Sequence, residues 1–398
     1  MQRSQSARAS WCLIATMVVA CGGGVRMSGD PAPAPVAGEA LHVFVGSHTR
    51  PEIAHLHLDS ALGNLIVKDR IATAPFPRAL AWNQKADVLY AANDRSFQLS
   101  AFRLDRTPGV LSPLGAVRDG EFANGDLAWP LNLALHPSGN WLLVGRHIDD
   151  GNSGIGVHQL DDTGRWTGRS VNAPLACDDN ANFNAAFDPS GRFAYGACDN
   201  EGLFRFLFEE ASGALTHQRL EGLEHVDSTD LLFVRGIPAA YLFNDTSSSA
   251  TVLTHSPDTG GLVFDDGNSV SFRAEAPTPP VPLDDPVVGR MTLDPAGTFV
   301  YFSLPSQNAI GVDKVGAPGS RRMGRKIIGQ GAELRRPTHA IRSPVGPWLL
   351  VANAETGTVA VFKTFAQASG DLGIDLVGAP VHAVDGASFI AIASPAAP

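Results

Sequence analysis

Two turn markers recurring in phase roughly every fifty residues, with a partial unit left at each end of the chain, predict an all-β fold. It is a seven-bladed β-propeller with ring closure by the C-terminal strand. The first marker is an acidic residue followed by a glycine and, in most copies, a leucine, closing an alternating apolar strand. Its glycines are Gly63, Gly109, Gly164, Gly213, Gly260 and Gly370. The last interval spans two periods, so one copy is expected to have degenerated within 316–325. The second marker lies half a unit away and is a Pro-x-Gly turn, as in His136-Pro137-Ser138-Gly139 and Asp294-Pro295-Ala296-Gly297. Proline presets φ and glycine accepts the left-handed position, so each copy is a hairpin.

Taken in order, residues 42–72 supply three strands (HVFVGS, IAHLHL, IVKDRI) with no inner strand before them. Six further units begin near Arg78, Leu131, Asn182, Ser228, Val288 and Pro337. Each has a second strand rich in aromatic and branched residues, such as VLYAAN (88–93), WLLVG (141–145) and WLLVAN (348–353). The strand ASFIAIAS (387–394) is left over. Pairing it with the first unit completes seven blades and removes both open edges, which otherwise invite aggregation. The many glycines and prolines leave no run of helical period of useful length, so helix is expected to be nearly absent.

Ahead of the propeller (41–396), residues 1–20 read as a signal peptide: Arg3 and Arg8, then the apolar run from Trp11 to Ala20, too short to span a bilayer. Val18-Val19-Ala20-Cys21 resembles the bacterial lipobox, which implies cleavage before Cys21 and a lipid on its thiol; an ordinary secretory signal is the alternative. Residues 21–40 are a Gly/Pro/Ala tether without the apolar content to fold. The expected location is the cell envelope, with the membrane reached through the lipid anchor. In such an oxidising compartment Cys177 and Cys198, in matching Ala-Cys-Asp contexts, are candidates for a disulfide. A net charge of −10 and no Lys/Arg-rich block argue against a nucleic-acid partner.

Propellers bind ligands at the mouth of the central channel. The position four residues before each Pro-Gly turn gives one inward candidate per blade: Ala79, Asn132, Asn184, Leu231 (with Asp230 one step earlier), Arg290 and His339. This set suits a small, polar, oxygen-rich ligand, with Arg290 as a carboxylate or phosphate clamp. The plainer reading is that these side chains satisfy one another. Loops after the second strands add Asn93, Arg146-His147 with Asp149 and Asp150, and Asn353. His147 reads as a general base, as part of a metal set, or as solvated loop charge; Asp178, Asp179 and Asp199 read as a Ca²⁺ site or, again, as solvated charge. No zinc spacing, phosphate loop or nucleophile elbow is present. No cofactor is therefore assigned, and a divalent cation is left open.

PLNLALHPSGNWLLVG, NAAFDPSGRFAYGA and PTHAIRSPVGPWLLVANAETGTVAVF resemble the seven-bladed propeller lactonases, as does the opening HVFVGSHTRPEIAHLHLDSALGNL. The likeness covers about 42–394. It implies a lactone opened by water, with Arg290 and His339 at family-like positions. Where the family carries a Pro-His-x-His stretch, this chain has Ala181-Asn182-Phe183-Asn184, so His339 or His147 is left to activate water. Asn132, Asn184, Asp230 and Asn353 would then bind the substrate. Two readings follow: a lactonase acting on a small lactone or sugar-acid ester, and a non-catalytic propeller that binds a ligand or another envelope protein.

Overall fold

A computed structural model describes residues 40–119, 128–147, 154–174, 184–198, 202–218, 220, 223, 230–244, 247–272, 289–316, 326–368 and 371–395. Seven antiparallel sheets stand around one axis. The inner strands are Ala387–Ala393, Pro77–Asn83, Trp129–Leu135, Asn184–Phe187, Asp230–Phe233, Met291–Leu293 and Pro337–Arg342. Each begins within a few residues of its expected start. The first blade is composite: Ala387–Ala393 lies innermost and pairs antiparallel with Ala40–Ser47, setting His42 opposite Ala393 and Val45 opposite Ile390. The ring is closed as expected.

Position in the blade explains the strand patterns. Second strands lie between neighbouring blades and are buried on both faces, so Trp348–Asn353 and Trp141–His147 are buried throughout. Outer strands have one wet face, and Leu65–Ala72 is mostly exposed beyond Leu65. The first sequence marker also acquires a reason. Gly213, at φ +73°, lies flat on Trp141 of the preceding blade, where a Cβ would stand 2.3 Å from the indole, and Trp141 Nε1 donates to Glu210 O at 3.0 Å. Trp348 is seated in the same way under Gly63, donating to Ser60 O at 2.8 Å. The recurring turn is therefore the clasp between successive blades.

Two expectations are refined. The sixth blade keeps an outer strand, Lys326–Gln330, although its turn marker has gone; 317–325 lie outside the described residues. In the fifth blade the glycine sits one place early. The hairpin is closed by Val234 N donating to Ala239 O, the bond that His136 N makes to Trp141 O in the third blade. Val234, not Arg235, is thus the first turn residue, and Asp230, not Leu231, is level with Asn132. Helix is confined, among the described residues, to the 3₁₀ turns Asp94–Ser96 and Pro305–Gln307, and no helix is long and apolar enough to cross a membrane. Residues 1–39, with the expected signal peptide, Cys21 and nearly all the expected tether, lie outside the described residues, as do Asp149, Asp150, Cys177, Asp178, Asp179 and Asp199. The proposed Cys177–Cys198 bridge is outside them for the same reason.

Candidate active site

Sheet register places one residue of each inner strand on a common level near the mouth. Asn132 faces Gly145, Asn184 faces Ala197, Asp230 faces Phe243, His339 faces Ala352, Ala79 faces Ala92 and Phe389 faces Gly46. Arg290 takes the same place, its carbonyl accepting from Ser303 N. Around the ring the order is Phe389, Ala79, Asn132, Asn184, Asp230, Arg290, His339. Five consecutive blades therefore contribute a continuous polar arc, and the remaining two contribute a ring and a methyl.

Four of the five polar members reach sideways to the next blade. Asn132 Oδ1 accepts from Ala185 N at 3.2 Å, Asp230 Oδ2 from Met291 N at 2.7 Å, and His339 Nδ1 from Ile390 N at 3.0 Å. Asp230 Oδ1 also accepts from the Asn184 amide and from Leu231 N, and lies 4.0 Å from Arg290 Nη1. Burial pushes the Asp230 carboxyl up to about 6, against the pull of the Arg290 charge and the backbone and amide donors. His339 is driven the other way, to about 3, by burial first and then by the Arg290 charge, so its imidazole is neutral. Its tautomer follows from its partners. Nδ1 accepts the Ile390 N–H, so Nε2 carries the proton and donates to Thr292 Oγ1 at 3.1 Å. The ring stacks on Phe389 with centroids 4.1 Å apart. The lone pair needed to take a proton from water is already engaged. The geometry thus suits His339 to holding the ring together, and Asp230 to accepting a proton.

Beneath this level the channel opens into a cavity of about 840 Å³ that runs to the Pro-Gly turns. Leu231 and Met291 form its upper lining, with Arg235, Asp294 and Arg342 farther down.

The other candidates are placed elsewhere. His147 lies one strand outward in the third blade, three blades from Arg290, and packs against Trp129 with ring centroids 5.4 Å apart. Its neighbour Arg146 is fully buried: Nε and Nη2 bind Asp119 at 2.9 and 2.5 Å, and His158 Nε2 meets the same carboxylate at 2.7 Å. Asn353 is also fully buried. Its amide donates to Glu333 O and Thr358 Oγ1, and its oxygen accepts from Arg335 N, so it pins the loop entering the seventh blade. Asn93 is held similarly by Thr73, Gln98 and Ser100. Expected as a ligand-binding residue, Asn353 makes these three bonds inside the protein, as a staple between that loop and Thr358. Among the described residues the group of His, Cys and carboxylate side chains close enough together to hold a metal ion is His42, His55 and His57 of the first blade, away from the polar arc.

The family described as "Lactonase, 7-bladed beta-propeller" matches residues 42–382. No curated protein matches the chain. Among solved structures, a proposed 6-phosphogluconolactonase from Bacteroides fragilis is similar with a TM-score of 0.69 and 17% identity, over 90% of this chain and 100% of that one. A periplasmic gluconolactonase from Pseudomonas aeruginosa gives 0.69 and 18%, over 90% and 100%. These likenesses concern the fold.

Proposed function

The chain belongs to the seven-bladed β-propeller lactonase family, and on that premise we propose that it opens a small lactone or sugar-acid ester at the polar arc of its channel mouth. The observation that carries this reading is the Asp230–Arg290 pair: a carboxylate held near pH 6 beside a guanidinium, both at the level where five blades turn polar side chains inward.

In this scheme Arg290 holds the lactone carbonyl and stabilises the negative charge that grows on its oxygen. Asp230, ionised above about pH 6, takes a proton from the attacking water. Water oxygen bonds to the carbonyl carbon, the ring C–O bond breaks, and the departing alkoxide receives the proton from Asp230. The product is the open hydroxy acid, and Asp230 is regenerated. Asn132 and Asn184 orient the ring oxygens. His339, neutral and bonded at both nitrogens, sets the spacing of the seventh and first blades.

The experiment is turnover of a panel of aldonolactones by the purified chain, followed by acid release. Hydrolysis lost in both Asp230→Asn and Arg290→Ala, with the fold unchanged by circular dichroism, supports the scheme; hydrolysis unaffected by either sinks it. A second reading, a ligand-binding propeller without turnover, is favoured by Asn184 standing where the family carries histidine and by its amide being committed to Asp230. Binding of a hydroxy acid without any hydrolysis across the panel would select it. We also propose the envelope location and lipid anchor at Cys21, on the strength of Val18-Val19-Ala20-Cys21. A mature N-terminus other than acylated Cys21, by mass spectrometry, refutes it.

A further inference from the structure

The first blade carries a cluster that the proposed reaction does not use. Residues two apart on a strand share a face, so His55-Leu56-His57 presents two imidazoles on the same side of Glu52–Asp59. The neighbouring strand Ala40–Ser47 sets His42 directly opposite His57, on that same face. On the other flank the outer strand Leu65–Ala72 sets Asp69 opposite His55. Three adjacent strands thus bring three imidazoles and a carboxylate together.

The four groups converge on one point, with His55 oriented by the carboxylate. One nitrogen from each of His42, His55 and His57 lies within 4.8 Å of the others. His55 Nδ1 is 3.0 Å from Asp69 Oδ1; the carboxylate accepts, so Nδ1 carries the proton and Nε2 presents its lone pair to the cluster. His42 Nδ1 faces that lone pair at 2.9 Å. His57 Nε2 is buried and has no hydrogen-bond partner among the described residues, a costly state for a ring nitrogen unless something occupies it. Gly109 of the next blade, at φ +82°, closes over the group; a Cβ there would stand 3.0 Å from His42 Cε1 and 3.6 Å from His57 Nε2.

We propose that His42, His55 and His57 bind one divalent ion of the zinc type, with Asp69 orienting His55 and a water in the fourth position. Imidazole nitrogens about 2 Å from a tetrahedral ion stand about 3.4 Å apart, so the His42–His55 pair would spread by about half an ångström and His57 would close in. On binding, the His42 Nδ1 proton moves to Nε2, which frees Nδ1 for the ion. Nitrogen-only ligands disfavour Ca²⁺ and Mg²⁺. The ion would tie strands Ala40–Ser47 and Glu52–Asp59 together in the composite blade.

The test is a zinc titration of the EDTA-treated full chain by calorimetry, with bound metal counted by mass spectrometry. One equivalent is expected. His57→Ala and His55→Gln should each abolish it, and Asp69→Asn should weaken it about 10- to 100-fold. His382→Ala, on an exposed histidine elsewhere, should leave it intact. Cobalt should give the intense visible bands of a tetrahedral site. Folding of each variant is read by circular dichroism, independently of lactone turnover. No binding by the unaltered chain overturns the proposal, and so does a full equivalent retained by a folded His55→Ala/His57→Ala variant.

Discussion

Arg290 Nη1 and Asp230 Oδ1 stand 4.0 Å apart on the inner strands of adjacent blades, and Asp230 Oδ2 accepts the backbone N–H of Met291, the residue after Arg290. The carboxylate is thereby fixed relative to the guanidinium by its neighbour's main chain. Because Asp230 must be ionised to accept a proton, kcat/KM should rise with pH through about 6 and then level off. Asp230→Asn should lower the rate by about 10²- to 10⁴-fold and remove that rise. A pH–rate profile of both forms on one lactone checks this.

Arg290→Ala should cost about 10²- to 10³-fold in kcat, as for loss of an oxyanion donor. Arg290→Lys should restore little of it, because a point charge cannot reproduce the planar fork. A loss confined to KM would show that Arg290 binds the ground state only.

His339→Ala should destabilise the protein by roughly 2–4 kcal/mol, since it empties a buried site against Phe389 and leaves the Ile390 N–H unpaired. The folded protein holds His339 near 3, below the ordinary 6.5 of the unfolded chain. Unfolded chains therefore bind more protons between those values, and stability should fall as pH drops from about 6.5. Urea midpoints across this range should decline less steeply in His339→Phe.

The buried pair of Arg146 and Asp119 should be worth more when broken than its net contribution suggests. Arg146→Met leaves the carboxylate buried and uncompensated, at a cost of about 3–5 kcal/mol. Burial raises Asp119, but Arg146 and His158 outweigh it and hold the group at about 2. Its contribution is full above 3.8 and is lost as pH falls from there toward 2. Denaturation midpoints measured with pH should show this fall and lose it in the variant.

Asn353→Ala should cost about 1–3 kcal/mol of stability and leave KM unchanged, because its partners are the Glu333–Arg335 backbone and Thr358. A raised KM with an unchanged urea midpoint would return Asn353 to the ligand.

The repeat made the fold legible because most blades solve the same problem with the same residues. The turn glycine lies against a ring of the preceding blade, as Gly213 lies on Trp141, and a Pro-x-Gly turn closes the inner hairpin in most of the other blades. The site was partly legible by the same means: counting back from the turn found Asn132, Asn184, Arg290 and His339. It slipped at Asp230 because the glycine of the fifth blade is displaced by one residue while the hairpin bond is not. The loop-pinning bonds of Asn353 were not legible, because a polar residue at a strand end looks the same in sequence whether it meets a ligand or a neighbouring loop. The histidine cluster left only the His-x-His of residues 55 and 57 as a signal. His42 and Asp69 join it through strand register, which a single sequence does not display.

The composite first blade fixes the order in which the molecule can be finished. The strand Ala40–Ser47 leaves the ribosome long before its inner partner Ala387–Ala393, since the other six blades lie between them in sequence. Until that partner is made HVFVGS has an unsatisfied edge, the kind of apolar template that recruits other chains. Six blades can form while the seventh waits. A deletion of Ala387–Ala393 alone would therefore yield an open arc with two sticky edges and aggregate, whatever the state of its polar arc.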